Sequence, residues 1–295
     1  ANALCNDWGL DTISAGATIA WAMECFEDGI LTAEQTDGLH LRFGDADAML
    51  AALEAMAFRR GKLGELLAEG SARAAATLGE AAQDRLITVK GSEAPAHMPQ
   101  VKRSMGLIYA VNPFGADHQS SEHDTSYEEN SGERSLGWLA ELGLTQPVPA
   151  TDLGAEKVKF TLITQYWTSL MDSINLCQFD WGATWQLYGP SAAPKIVNAV
   201  TGWETDIREL MDVGARRVNL MRVFNEREGF TRDDDKLSPR MHEPLRGGIS
   251  DGMQVTAAEI EWAKDLYYRM AGWDVETGNP TPERLQELGL AWTIT

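Results

Sequence analysis

Apolar residues recur three and four positions apart through most of the chain, and the residues bounding these runs are ones that start and stop helices. Ile13, Ala17, Ala20 and Met23 form one stripe, extended by Phe26 or Ile30, with Thr12 or Ser14 able to cap its start and Gly29 to close it. Thr32-Ala33-Glu34-Gln35 has the form of a capping box, and Gly38 leaves room for only a short helix. Asp45 heads a helix that buries Met49, Leu50, Leu53, Met56 and Ala57, with Gly61 beyond its end. An alanine-rich helix is predicted over 63–78 and a strand over 86–90, ahead of Gly91. Periodicity fades over 92–135. Helices resume over 155–170 and over 205–224, the latter interrupted at Gly214. Another runs from the Thr256-Ala257-Ala258-Glu259 capping box to Met270, and a last one from Thr281-Pro282 to Leu288 with Gly289 after it. Alternating runs are scarce. The pattern therefore predicts a mainly α fold of two helical lobes, 1–150 and 151–295, joined by the proline-bearing polar stretch 147–152.

A chain of 295 residues can bury a sizeable core, and a formal net charge of −19 argues against nucleic acid or an anionic membrane surface as a partner. No apolar run approaches the roughly 20 residues that span a bilayer. Cys5, Cys25 and Cys177 are odd in number and far apart, which predicts no disulfide framework and a cytoplasmic, reducing environment. Nucleophile-elbow, Walker and G-x-G-x-x-G sequences are absent, so hydrolase, NTPase and nicotinamide chemistry have no motif to rest on.

The irregular segment holds His97, His118 and His123, with Asp117, Glu122 and Asp124 beside the last two. No H-x-x-x-H or H-E-x-x-H spacing occurs, so a protein-ligated zinc is not expected. His123 reads as solvated surface. Arg216, Arg217, Arg222, Arg227 and Arg232 read as a salt-bridged exposed face, and Trp181, Trp185 and Tyr188 as core or lid.

Two short stretches share an order. Asp7-Trp8-Gly9-Leu10-Asp11 and Asp172-Ser173-Ile174-Asn175-Leu176-Cys177 each run from an Asp through a turn-forming residue and Leu to an acid or a thiol. A carboxylate accepts two parallel N–H donors, as the amino-pyrimidinone edge of a pterin presents them, and Gly or Asn permits a left-handed turn. The plainer reading is a pair of common turns, with Cys177 one more small buried residue.

Four segments in fixed order widen the choice: residues 2–14, Tyr109-Ala110-Val111-Asn112-Pro113-Phe114-Gly115-Ala116-Asp117-His118, residues 172–177, and Arg222-Val223-Phe224-Asn225-Glu226-Arg227-Glu228-Gly229-Phe230. In that order they resemble the second and third domains of the tungsten-containing aldehyde:ferredoxin oxidoreductase family, over essentially the whole chain. The resemblance implies a tungsten or molybdenum bis-pterin beside a 4Fe-4S cluster, oxidation of a small aldehyde to a carboxylate, and ferredoxin or a related carrier as acceptor. It implies pterin contacts at Asp7, Leu10 and Asp11 and at Asp172, Leu176 and Gln178, cluster ligation by Cys177, and proton transfer by His118 near the metal. Asn175 stands where Gly is usual, and Phe114 where Arg is common. The family's N-terminal pterin-cradling domain and its C-x-x-C-x-x-x-C motif are not in this sequence, so the chain is expected to need that part in cis or in trans and to be inactive alone. A homo-oligomer is allowed. Two alternatives remain: a family member acting on another substrate, such as the tungsten subunit of an aromatic-ring reductase, and a non-catalytic helical scaffold or binding module.

Overall fold

A computed structural model describes residues 1–294, and helices dominate it. Contacts group the chain into two compact units, Ala1–Ala96 with Ser238–Met241, and His97–Leu237 with His242–Thr295. The division thus falls at 96/97 and not within 147–152. That stretch is tied into the second unit, where Val148 N donates to Tyr127 O and Ala150 N to Glu128 Oε1.

The first unit runs α1 (Asn2–Trp8), α2 (Thr12–Glu27), α3 (Ala46–Phe58), α4 (Gly61–Leu67), α5 (Ser71–Leu78), α6 (Glu80–Gln83) and a hairpin of β1 (Thr88–Val89) and β2 (Ser92–Glu93). Its core joins Ile19, Trp21 and Met23 of α2 to Leu53 and Met56 of α3 and Leu63 and Leu67 of α4. The helix expected over 63–78 is two helices. Glu93, almost wholly buried, accepts from both the backbone N–H and the hydroxyl of Ser71 at 2.8 Å, which starts a new helix there. The strand expected over 86–90 shortens to two residues, because Lys90 and Gly91 both have positive φ (52° and 78°) and turn the chain at once. Thr32 and Gln35 make their capping-box bonds, yet a turn follows rather than a helix.

The second unit contains α7 (Arg103–Val111), α8 (Glu133–Glu141), α9 (Ala155–Ser173), α10 (Ala192–Thr201), α11 (Ile207–Arg227), α12 (Ala257–Ala271) and α13 (Pro282–Glu287). Helix α9 is its axis, packed by α7, α11 and α12 and buried on nearly every side. Two of its buried hydroxyls are satisfied within the helix: Thr161 and Thr164 donate to the carbonyls of Lys157 and Phe160 at 2.9 and 2.8 Å. Gly214 does not interrupt α11. A Cβ there would lie 1.9 Å from the Tyr166 carbonyl oxygen, so the glycine is where α11 crosses α9 backbone to backbone. The arginine run is not uniformly an exposed face either, although Arg227 is exposed. Arg222 is fully buried, pairs with Asp235 at 2.8 Å, and sits 5.4 Å from the Trp273 ring centroid. Among the described residues no helix is long and apolar enough to cross a membrane.

Candidate functional site

The site in the second unit begins with a remote helix cap. Lys102, at the N-cap of α7, offers no side-chain acceptor, and Asp124 supplies one from twenty residues away. Its carboxylate accepts from Ser104 N at 2.9 Å and Ser104 Oγ at 2.5 Å, and pairs with Lys157 Nζ at 2.9 Å, with no solvent exposure on either side of the pair. A buried ion pair survives only when added hydrogen bonds offset its desolvation, and the Ser104 donors do so. This clamp fixes the register of the irregular segment against α7. His123, next in sequence to Asp124, is thereby brought beside Lys102.

Three imidazoles gather there. Lys102 Nζ lies 3.0 Å from His123 Nδ1 and 3.4 Å from His97 Nδ1. His97 stacks on His118 with centroids 4.9 Å apart and meets the edge of His123 at 4.5 Å. Burial is the first cause lowering the proton affinity of all three, and the Lys102 charge adds to it. His123 is brought down to about 4, although a hydrogen bond to the His118 backbone opposes this. His123 is therefore half-buried and clustered, not solvated surface, because the Asp124 clamp draws it inward. His118 is presented by a loop in which Asn112 Nδ2 donates to Gly115 O and Ser120 Oγ, and Asp117 accepts from Gln119 N and Ser120 Oγ. Its Nε2 lies 2.8 Å from Gln119 Nε2, and its buried Nδ1 has no hydrogen-bond partner among the described residues, with Asp117 Oδ1 4.0 Å away.

These rings form one wall of a cleft of about 340 Å³. Gln119 and Gln178 add polar groups, while Met171, Phe179 and Trp185 make an apolar side. Phe179 and Trp185 are both more than half exposed, with ring centroids 6.1 Å apart. The loop carrying Trp185 hangs on Glu122, a buried carboxyl that accepts from Thr184 Oγ1 at 2.9 Å and Ala183 N at 3.4 Å and whose pKa burial raises. A small ligand with a polar head and an apolar body suits such a lining.

Of the site residues that the family resemblance implied, His118 and Gln178 share this cleft. Leu176 packs on the core under it. Asp172 ends α9 as an exposed carboxylate paired with Arg217 at 3.0 Å, and Asn175 takes the left-handed turn at φ 57° that its side chain tolerates. Cys177 is exposed, contrary to the plainer reading of it as a buried residue, because its carbonyl accepts from Asp180 N and Trp181 N in a turn outside the core. Asp7, Leu10 and Asp11 belong to the first unit. Asp7 is exposed on α1, Leu10 packs on the core, and Asp11 caps α2 by accepting from Ser14 N at 2.6 Å. Aligning the two turns on their left-handed residues, Gly9 and Asn175, sets Asn6 and not Asp7 opposite Asp172.

Lys102 and Gln119 are additions from the structure, while His97, Glu122, His123 and Trp185, named in the sequence without a place in the site, join it here. The one sequence signal for the cluster was three histidines in a single aperiodic segment. Among the described residues no three His, Cys, Asp or Glu side chains are arranged to hold a metal ion. Cys5 and Cys25 are buried, and burial pushes the Cys25 thiol up to about 11. One exposed thiol can supply one thiolate, so these residues do not furnish the four ligands of an iron–sulfur cluster.

Residues 1–290 match the family model described as aldehyde ferredoxin oxidoreductase, domains 2 and 3. The chain belongs to the aldehyde ferredoxin oxidoreductase family. It is 33% identical over 294 residues to the tungsten-containing aldehyde ferredoxin oxidoreductase of Pyrococcus furiosus, covering 99% of this chain and 45% of that protein. It is 28% identical to a protein of the same organism named aliphatic sulfonate oxidoreductase, WOR-like subunit, covering 97% of this chain and 41% of that one. The fold is similar to the active-site complex BamBC of benzoyl-coenzyme A reductase, solved with 1,5-dienoyl-CoA, with a TM-score of 0.71, 22% identity, and coverage of 96% of this chain and 44% of that one. This family member thus spans less than half the length of the relatives it matches.

Proposed function

We propose that the chain is the C-terminal part of a tungsten or molybdenum bis-pterin oxidoreductase that oxidises an aldehyde and water to a carboxylic acid, releasing two electrons to ferredoxin or a related carrier and two protons. The observation that carries the reading is the cleft: His118 and Gln178, both expected at the site from widely separated motifs, line one cavity with an apolar side fit for an aldehyde's hydrocarbon body. When bound, the metal-pterin group supplies the redox chemistry. The residues of this chain orient the substrate and hold the proton. His118, whose proton affinity burial lowers, accepts a proton at Nε2, the ring nitrogen that faces the Gln119 amide, and Phe179 and Trp185 exclude water from the substrate's apolar end. Asp172 and Asp11 are the carboxylates for the pterins, Leu10 and Leu176 flank them, Asp7 stands one place out of register, and Cys177 gives one ligand to the 4Fe-4S cluster. The remaining cluster ligands come from a segment joined in cis or in trans. The match to a sulfonate oxidoreductase subunit supports a second reading, in which the same site serves a different oxidisable substrate.

The test uses the full protein that contains this chain, prepared anaerobically, with iron, tungsten and molybdenum analysis and viologen-linked aldehyde oxidation. His118→Gln should abolish turnover with metals retained, Cys177→Ser should lower iron, and Asp172→Ala should lower pterin content. The 295-residue chain alone should hold no stable cluster and oxidise no aldehyde. Full metal loading together with turnover insensitive to His118→Gln would reject the reading.

A further inference from the structure

We propose that Lys102 is a positioning residue that locks the tautomers of His97 and His123 and so fixes the imidazole of His118 in the cleft wall. The proposal rests on the reading of His118 as the proton-transferring group. An ammonium has donors only, so imidazole nitrogens at 3.0 and 3.4 Å from it must both be acceptors. The tautomer of a histidine is set by the hydrogen bond its other nitrogen makes, and here both protons are driven to Nε2. The opposite tautomer of His123 would set an N–H against the ammonium. With Nδ1 so engaged, His123 keeps Nε2 as its donor and sets its ring edge-to-face against His118, with centroids 5.9 Å apart. His97 presses its ring face on the His118 ring, their planes 30° apart. One cation therefore sets both neighbours of His118. Its own place is not free to drift, because it immediately precedes the α7 turn that Asp124 clamps.

The charge acts in the same direction as the geometry. Facing His118 are Asp117 from its own loop, Lys102 and His97 from the segment before α7, and His123 and Glu122 from the chain ahead of Asp124. Tyr109 of α7 contributes a hydroxyl 3.5 Å from His97 O that burial keeps neutral, and from α9 and the 178–186 loop come the uncharged Thr168, Gln178 and Gln186. Glu122 is buried among its own donors, and Asp117 favours the charged imidazole. Lys102 is thus the cation that opposes Asp117.

Long-range proton–nitrogen spectra of the chain labelled with 15N-histidine test the proposal without any cofactor. His97 and His123 should both appear as Nε2–H tautomers at pH 7. Lys102→Met should populate the Nδ1–H form of at least one and raise the His118 midpoint, whereas Lys102→Arg should keep both tautomers and the midpoint. In the full enzyme, Lys102→Met should move the acid limb of kcat/KM to higher pH by the same amount. An Nδ1–H tautomer at either ring in the wild-type chain overturns the proposal, and so do unchanged tautomers in Lys102→Met. The wild-type spectrum decides even if that variant does not fold. Expected tautomers combined with turnover indifferent to His118→Gln would leave Lys102 its role and overturn instead the reading of His118.

Discussion

The ends of α1 and α9 turn the chain in the same way. In each a left-handed residue, Gly9 at φ 70° or Asn175 at φ 57°, is followed by a leucine whose N–H reaches back five residues, Leu10 to Cys5 O at 2.9 Å and Leu176 to Met171 O at 3.0 Å. The residue after the leucine then diverges. Asp11 spends its carboxylate on Ser14 N and starts another helix, whereas Cys177 leaves its thiol in solvent and only its backbone carbonyl is used. The supports diverge too. Helix α1 is seven residues long with Cys5 as its one buried residue, while α9 is nineteen residues, thirteen of them buried, with Asp172 tied to α11 through Arg217. A shared backbone motif thus says where a side chain is displayed, and the helix behind it says how firmly.

The largest break in that comparison should come from the second unit's buried carboxylate. Asp124→Ala removes the α7 cap and strands Lys157 in the interior, so the expected cost is about 3–5 kcal/mol in urea unfolding followed by far-UV circular dichroism. A loss below about 1 kcal/mol would show that the clamp is dispensable.

Acid should separate the regions next, because the burial-lowered histidines all lie in the second unit. Each takes a proton near 6.5 when unfolded and at lower pH when folded, near 4 for His123. Within that window the unfolded state binds more protons, so stability is full above about 6.5 and falls as the pH drops toward 4. Glu122 opposes this: its raised pKa makes the folded state bind the extra proton, withdrawing stability as pH rises above 4.5. In Glu122→Gln the histidine slope should stand alone, and adding His123→Gln should flatten it. A urea midpoint independent of pH across this range in Glu122→Gln would remove the histidines from the buried cluster.

Legibility followed the same division. Helices with one wet face announced themselves: Asp45 and Thr256 cap where their sequences say, with Asp45 Oδ1 accepting from Ala48 N at 2.9 Å. Helix α7 did not, since nearly every residue in it is buried and no periodic contrast survives. Gly214 was misleading because a glycine that permits a helix crossing looks in sequence like one that ends a helix. The tolerance of Asn175 for its turn was readable, and so was the place of His118 in an aperiodic segment. The cluster around His118 was not, because Asp124 and Lys102 are brought together by a cap with no local spacing. The offset of Asp7 from the position matching Asp172 shows only when the left-handed residues Gly9 and Asn175 are superposed.

In the first turn the effects should be smaller. Asp11→Ala removes an exposed cap and should cost about 1 kcal/mol, and Gly9→Ala, forcing a Cβ into the left-handed region, about 1–2 kcal/mol. Equal losses from Asp11→Ala and Asp124→Ala would erase the distinction between exposed and buried caps.

The smallest effect should come from Asn175→Gly, and it addresses the likeness of the two turns most directly. Asn pays little to sit at φ 57°, so glycine relieves little strain, and the added freedom of the unfolded chain works against even that gain. The two terms should cancel to within about 0.5 kcal/mol. The exposed thiol should then be alkylated at an unchanged rate under native conditions, with Cys5 and Cys25 protected by burial. Asn175→Ala, which keeps the Cβ and loses the local polar group, should instead cost about 1 kcal/mol and speed alkylation as the turn loosens. A gain above about 1 kcal/mol in Asn175→Gly would mean that this turn is strained where its counterpart at Gly9 is relaxed. Strain of that kind beside Cys177 would make the second turn a conformation held for ligation, and the two turns would no longer be equivalent.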